Sequence, residues 1–173
     1  MVNSIRSLIR EIPDYPKPGV QFYDITPVLG DAQAFSDLLE HMVAPHRDHG
    51  ITKVAGIEAR GFTLAAPIAR ILGAGFIPVR KPGKLPHDTN TREYALEYGT
   101  DALEVHVDAA DSADRVLLVD DVIATGGTAR AAIQLLRHVG AEVVGLSLFI
   151  ELVFLGGASK IDSVPINALI RYD

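Results

Sequence analysis

Between Lys53 and Leu152 the sequence alternates short apolar runs with amphipathic stretches, and few folds accept that alternation. "KVAGIE" (53–58), "GFIPVRK" (75–81), "RVLLVDDV" (115–122) and "AEVVGLSLFIEL" (141–152) are apolar runs of strand length. "GFTLAAPIARILG" (61–73) and "TARAAIQLLRHVG" (128–140) have helical period and close on glycine. A strand that is apolar throughout must be covered on both faces, which argues for a central, mostly parallel sheet flanked by helices. The expected class is therefore α/β, with ligands bound beyond the carboxyl ends of the strands.

The remaining segments frame this unit. Residues 4–12 predict a short helix with Ile5, Leu8, Ile9 and Ile12 on one face. "PDYPKPGVQFYDITP" (13–27) predicts a structured loop, and Asp31 to about His49 a helix capped by Asp31. Residues 82–106 are polar and rich in turn residues, and connections of that length in a compact domain are usually functional. Their ends, "REYALEYG" and "DALEVHV", predict a hairpin or flap, and the tail predicts one more strand. A length of 173 residues suits a single domain.

Composition narrows the function. With no cysteine, disulfides, thiolate catalysis and cysteine-type zinc sites are excluded. A net charge of −6 without a basic tract argues against a general nucleic-acid binder. No apolar run reaches the ~20 residues of a membrane span, and the N-terminus lacks a signal-peptide core. The expectation is a cytoplasmic protein engaging neither nucleic acid nor membrane. The six histidines have no metal-ligand spacing, and His46 and His49 read as structural.

"VLLVDDVIATGGT" (116–128) carries the chemistry. Gly126 and Gly127 let backbone approach a ligand, and Thr125 and Thr128 add hydroxyls beside the free amides of a helix start. That set binds phosphate, but it lacks the lysine of a GxxxxGK[ST] loop. Two carboxylates beside a phosphate site make sense if the ligand also carries neighbouring hydroxyls. Asp120 and Asp121 would accept from a vicinal diol, and a sugar phosphate satisfies both requirements. Read alone, the aspartates are equally helix caps and the glycines an ordinary turn.

The same stretch resembles the phosphoribosyl pyrophosphate (PRPP) motif of the type I phosphoribosyltransferases. "IPDYPKPGVQFYDITPVL", "EARGF", "VRKPGKLP" and "YALEYGTDALEVH" are similar, in order and spacing, to the adenine-specific branch of that family. The resemblance implies the type I phosphoribosyltransferase fold over 1–173, with an N-terminal hood segment (1–30) and a mobile catalytic loop (82–106). It implies transfer of phosphoribose from PRPP to N9 of adenine, giving AMP and pyrophosphate, with Mg²⁺ held mainly through PRPP. Ala124, Thr125, Gly126, Gly127 and Thr128 would hold the 5′-phosphate, and Asp120 and Asp121 the ribose hydroxyls. Glu58-Ala59-Arg60 would form a pyrophosphate loop that often carries a cis peptide between Glu58 and Ala59, with Arg60 on the pyrophosphate. Arg80, Lys81, Lys84 and Tyr98 would contact PRPP, some of them across a homodimer. Glu97 would be the acid/base partner near adenine N7, and Gln21, Phe22 and Tyr23 would bind the base.

Taken singly, Arg60 reads as a surface arginine, Phe22 as core, and Tyr94, Leu96 and Tyr98 as alternation along a strand. Two departures stand out: Tyr23, where arginine or lysine is common, and Ala158, where arginine is expected. The alternatives are a 6-oxopurine or xanthine enzyme, a non-catalytic PRPP sensor, and a plain dinucleotide-type binding module. The adenine-type N-terminal segment weighs against the first. The acidic chain, with no room for a DNA-binding module, weighs against the second, and the aspartate pair has no role in the third.

Overall fold

The computed structural model describes residues 2–95, 100–161 and 164–173. They form two compact units, 1–41 and 42–173, each taken here by itself.

The first unit opens with α1 (Val2–Leu8), followed by β1 (Arg10–Ile12), β2 (Phe22–Asp24) and α2 (Thr26–Gly30). A single helix over 4–12 was expected, but the chain leaves helix at Leu8 and pairs antiparallel with β2, Ile12 opposite Phe22. Pro13 follows Ile12 and disfavours helical backbone there. The loop between the strands turns at Asp14, in left-handed conformation with φ 58°, whose carboxylate accepts from the Gly19 N–H at 2.7 Å. Tyr15 meets the Phe22 ring edge-on, centroids 5.1 Å apart.

Helix α3 (Ala32–Val43) begins as expected, with the Asp31 carboxylate accepting from the Ala34 N–H at 2.8 Å. It stops at Val43 rather than His49, because Pro45 has no N–H and its ring crowds the preceding turn. A single 3₁₀ turn, Ala44–His46, follows.

The second unit is built on β3 (Lys53–Ile57), α4 (Arg60–Leu72), β4 (Gly75–Val79), β5 (Thr89–Ala95), β6 (Thr100–His106), β7 (Arg115–Ile123), α5 (Gly127–His138), β8 (Glu142–Leu152) and β9 (Ile166–Tyr172). Five strands form one sheet in the order β4-β3-β7-β8-β9. Each neighbouring pair is parallel, as the apolar runs predict. Gly73 ends α4 in left-handed conformation, its N–H bonded to the carbonyls of Ala69 and Arg70.

Val54, Ala55, Val116, Leu117, Leu118, Val119, Leu146 and Phe149 are fully or almost fully buried in the strands. Hairpin β5–β6 pairs antiparallel from Thr89↔His106 to Ala95↔Thr100 and lies against α5, with Leu103 and Val105 fully buried. Of the segment expected as a flap, β6 places Leu103 and Val105 in the core and Tyr94 of β5 packs half-buried against it, while Thr91, Arg92 and Glu93 are exposed. No described helix is long and apolar enough to cross a membrane.

Candidate active site

Parallel register brings the functional segments to one edge of the sheet. Ile57 lies opposite Val79, and Gly56 opposite Val119. The residues just beyond the ends of β3 and β4 are Glu58 and Arg80, level with Asp120 of β7, and the Glu58 N–H donates to the Val79 carbonyl at 2.9 Å. Helices α4 and α5 start at the same edge, at Arg60 and Gly127, and neither start has a side-chain cap. Uncapped first-turn amides are donors without an intrahelical partner. The Glu58–Ala59 peptide is cis.

The aspartate pair sits inside β7, which runs on to Ile123. Asp121 is buried and Asp120 half-buried. Gly61 makes room for them: a Cβ there would lie 2.8 Å from Asp120 Oδ1 and 3.2 Å from the Val119 carbonyl. Burial, then the charge of Asp121, pushes the Asp120 carboxyl well above the usual carboxylate range. Burial also raises Asp121, against the pull of Arg60, whose Nη2 lies 2.8 Å from its carboxylate. The sequence offers no cation near the pair; the fold supplies one from the start of α4.

The other cations are also matched. Glu58, with 8% of its side chain exposed, accepts from Arg80 Nε at 2.8 Å and from Lys84 Nζ. Burial alone would raise its pKa; the Lys84 and Arg80 hydrogen bonds outweigh that and hold it below the ordinary value. Lys81 donates to Asp101 and, at 2.9 Å, to the Tyr94 hydroxyl. Burial pulls Lys81 down, but these partners leave it raised, and Asp101 correspondingly falls. Arg80 and Glu104 exchange backbone hydrogen bonds of 2.9 and 2.7 Å, which fasten β6 to the end of β4. Each of Arg60, Arg80, Lys81 and Lys84 thus lies beside a carboxylate, and the four gather around one edge, as an anion site requires.

From the end of β7 into the first residues of α5, Ala124 to Thr128 form the turn. Gly126 has φ +81°, and its carbonyl accepts the first α5 bond, from the Arg130 N–H at 3.0 Å. That conformation suits glycine. The turn presents successive backbone amides at a 12-residue helix, the arrangement that binds phosphate.

Glu97 and Tyr98 lie outside the described residues. Gln21, Phe22 and Tyr23 belong to the first unit. Tyr23 faces Glu11 across β1–β2, and burial, then the Glu11 charge, raises its hydroxyl pKa. Ala158 packs half-buried against the main core. The partner roles of Glu58, Asp101, Tyr94 and Glu104 have no local signal in sequence, because each meets a residue distant in the chain.

Residues 28–153 match the family described as phosphoribosyl transferase domain. A curated relative from Bradyrhizobium sp. (strain ORS 278), an adenine phosphoribosyltransferase, is 54% identical over 98% of this chain and 96% of its own. The crystal structure of adenine phosphoribosyltransferase from Rhodothermus marinus superposes with TM-score 0.95 at 48% identity, covering 99% of this chain and 98% of that one. The Saccharomyces cerevisiae enzyme, complexed with an imino-altritol bisphosphate and adenine, superposes at 0.92 with 34% identity, covering 98% of each chain. A parallel sheet ending in paired aspartates, a glycine turn and four gathered cations thus agrees with near full-length similarity: the chain belongs to the phosphoribosyltransferase family and, within it, to the adenine phosphoribosyltransferases.

Proposed function

We propose that the chain transfers the 5-phosphoribosyl group of PRPP to N9 of adenine, releasing pyrophosphate and forming AMP in purine salvage. The observation that carries this reading is the aspartate pair of β7, with Arg60 on Asp121, in the strand that leads straight into the uncapped, glycine-lined start of α5. A phosphate alone would be repelled by Asp120 and Asp121. A ribose phosphate meets both halves of the site, its hydroxyls on the carboxylates and its phosphate on the amides of Ala124 to Thr128.

Pyrophosphate would take Arg80 and Lys84 over from Glu58, and Arg60 from Asp121, exchanging internal ion pairs for pairs with the ligand. The C1–O bond to pyrophosphate then breaks, its electron pair leaving on the pyrophosphate oxygen, as the N9 lone pair forms the N9–C1 bond. The imidazole-ring N–H proton of adenine passes to the Glu97 carboxylate, the role family resemblance gives it, and the ribose passes through a cationic, oxocarbenium-like state. Ionised Asp120 and Asp121 favour that charge at the ribose. Among the described residues no three acidic or histidine side chains cluster to cage a metal. Mg²⁺ fits the site as a cation carried on PRPP's own oxygens, with at most one or two carboxylates assisting, as is usual for that ion. It would supply charge neutralisation on the leaving pyrophosphate. Adenine binding by Gln21, Phe22 and Tyr23, the acid/base role of Glu97 and the PRPP contact of Tyr98 rest on family resemblance. So do a cytoplasmic setting and a homodimer, whose mass sedimentation equilibrium reads directly.

The test offers PRPP and Mg²⁺ with adenine, hypoxanthine, guanine or xanthine and measures pyrophosphate release. Turnover confined to adenine is expected. Turnover only with the 6-oxo bases would move the chain to the oxopurine enzymes, and no turnover with any base would overturn the reading.

A further inference from the structure

The segment after β8 presses on the phosphate turn more closely than any side chain would allow. Gly157 is buried, and a Cβ built on it would lie 2.2 Å from the Ala124 carbonyl oxygen and 2.7 Å from the Gly126 nitrogen. The contact is reciprocal: a Cβ on Gly126 would lie 2.5 Å from the Gly157 carbonyl oxygen. Two backbones therefore touch with no side chain between them. Three positions on, Lys160 Nζ donates to the Thr125 carbonyl at 3.3 Å. The segment is itself fixed. Ile161 is 7% exposed in the core, Ala158 packs against it, and the N–H groups of Lys160 and Ile161 bond back to Gly157 and Ala158 at 3.2 and 3.0 Å.

We propose that Gly157 and Lys160 are positioning residues for the phosphate turn, acting through Ala124, Thr125 and Gly126. The inference rests on the reading of that turn as the holder of the PRPP 5′-phosphate. Gly157 sets how deep the Ala124–Gly126 backbone sits. Lys160 fixes the Thr125 carbonyl, and because the peptide group is planar, it also fixes the direction of the Gly126 N–H on its other side. Amides held in advance bind an anion without reorganising, and a displacement of about 1 Å at such a site costs on the order of 100-fold. Lys160 also places a cation beside the turn without serving as a ligand in its own right.

Steady-state kinetics on Gly157→Ala, Lys160→Met, Lys160→Arg and the turn variant Thr128→Ala test this, read against melting midpoints. Gly157→Ala is expected to raise the KM for PRPP on the order of 100-fold. Lys160→Met is expected to raise it about fivefold, the worth of one such hydrogen bond, with the KM for adenine unchanged. Lys160→Arg restores most of the loss, because the guanidinium keeps a donor near the carbonyl. Lys160 is exposed, so its variants fold even if Gly157→Ala does not. If Thr128→Ala raises the KM for PRPP while neither Lys160→Met nor a folded Gly157→Ala does, the positioning role is overturned and the turn keeps its function. If Thr128→Ala and both segment variants leave the KM for PRPP unchanged, the reading of the turn falls and takes this inference with it. An equal loss of kcat/KM for PRPP and for adenine, with a lowered melting midpoint, would mark a merely structural role and also overturn it.

Discussion

At the scale of single residues, the site is a set of charges that neutralise one another. Arg60 is 38% exposed and Asp121 only 7%, so the aspartate depends on that partner more than the arginine does. Arg60→Gln leaves a buried carboxylate without its counter-charge. Breaking a fully buried pair costs ~3–5 kcal/mol; solvent screening of the exposed guanidinium reduces this to about 1–2 kcal/mol, which a urea melt would register as a lower midpoint. The pH dependence follows from the raised Asp120. Its folded-state carboxyl keeps a proton above the ordinary value of 3.8, so this group favours the empty fold at low pH. That contribution is lost as pH rises through the raised value. The ionised carboxylate accepts from ribose hydroxyls about twice as strongly as the protonated acid, so PRPP affinity is expected to weaken on acidification well before ordinary carboxylates protonate. Titration calorimetry across pH would check it; a flat profile would contradict the ribose contact. The aspartates and the Thr-Gly-Gly-Thr turn were legible because they are contiguous. The carboxylate partners of Arg80, Lys81 and Lys84 were not, lying 20 to 26 residues away in sequence.

At the scale of elements, the strands and long helices of the second unit were legible because period and apolar content agree. Their ends were set by chemistry that period does not report. Pro45 shortened α3 and Pro13 helped divert residues 10–12 into β1, while α4 runs on through Pro67. Strand β1, of three residues, exists only through its pairing with β2, and a stretch that short carries no period of its own. The close approach of α4 to β3 was equally hidden. A Cβ on Gly56 would lie 2.6 Å from the Ala65 Cβ and 3.1 Å from Phe76 Cε2. Gly56→Ala must therefore move the helix whose first residue is Arg60. The expected outcome is a loss of about 1–3 kcal/mol, typical of overpacking, together with a raised KM for PRPP. Chemical denaturation and steady-state kinetics would read the two effects on one preparation.

At the scale of the whole molecule, two buried groups pull the acid limb of stability in opposite directions. His46 is 1% exposed, neither ring nitrogen has a hydrogen-bond partner among the described residues, and burial, then the charge of His49, lowers its pKa to about 4. The unfolded chain takes up that proton near the ordinary value of 6.5, so stability is lost as pH falls from there to about 4. The loss amounts to ~3 kcal/mol at most, from 1.36 kcal/mol per pKa unit. His46→Leu should flatten the decline between those values, and an unchanged slope in the variant would place its cause elsewhere. Asp120 works the other way, since its penalty shrinks as it protonates. Chain length, lack of cysteine and apolar pattern made the architecture legible, whereas the depth of His46 depends on packing between segments far apart.

The central claim is that Arg60 offsets only part of the charge of the paired carboxylates, and that on the proposed function PRPP completes their environment. Thermal midpoints of the unsubstituted chain and Asp120→Asn, each with and without Mg²⁺ and PRPP, test it directly. Asparagine keeps the shape and the acceptor for the Asp121 N–H but not the charge. Without ligand, the variant is predicted to melt higher, by about 2–4 °C for each kcal/mol of relieved repulsion. With PRPP at about 100 times its Kd, the unsubstituted chain should gain about 2.7 kcal/mol and the variant little. A variant that melts no higher when empty, and gains as much from PRPP, would contradict the account.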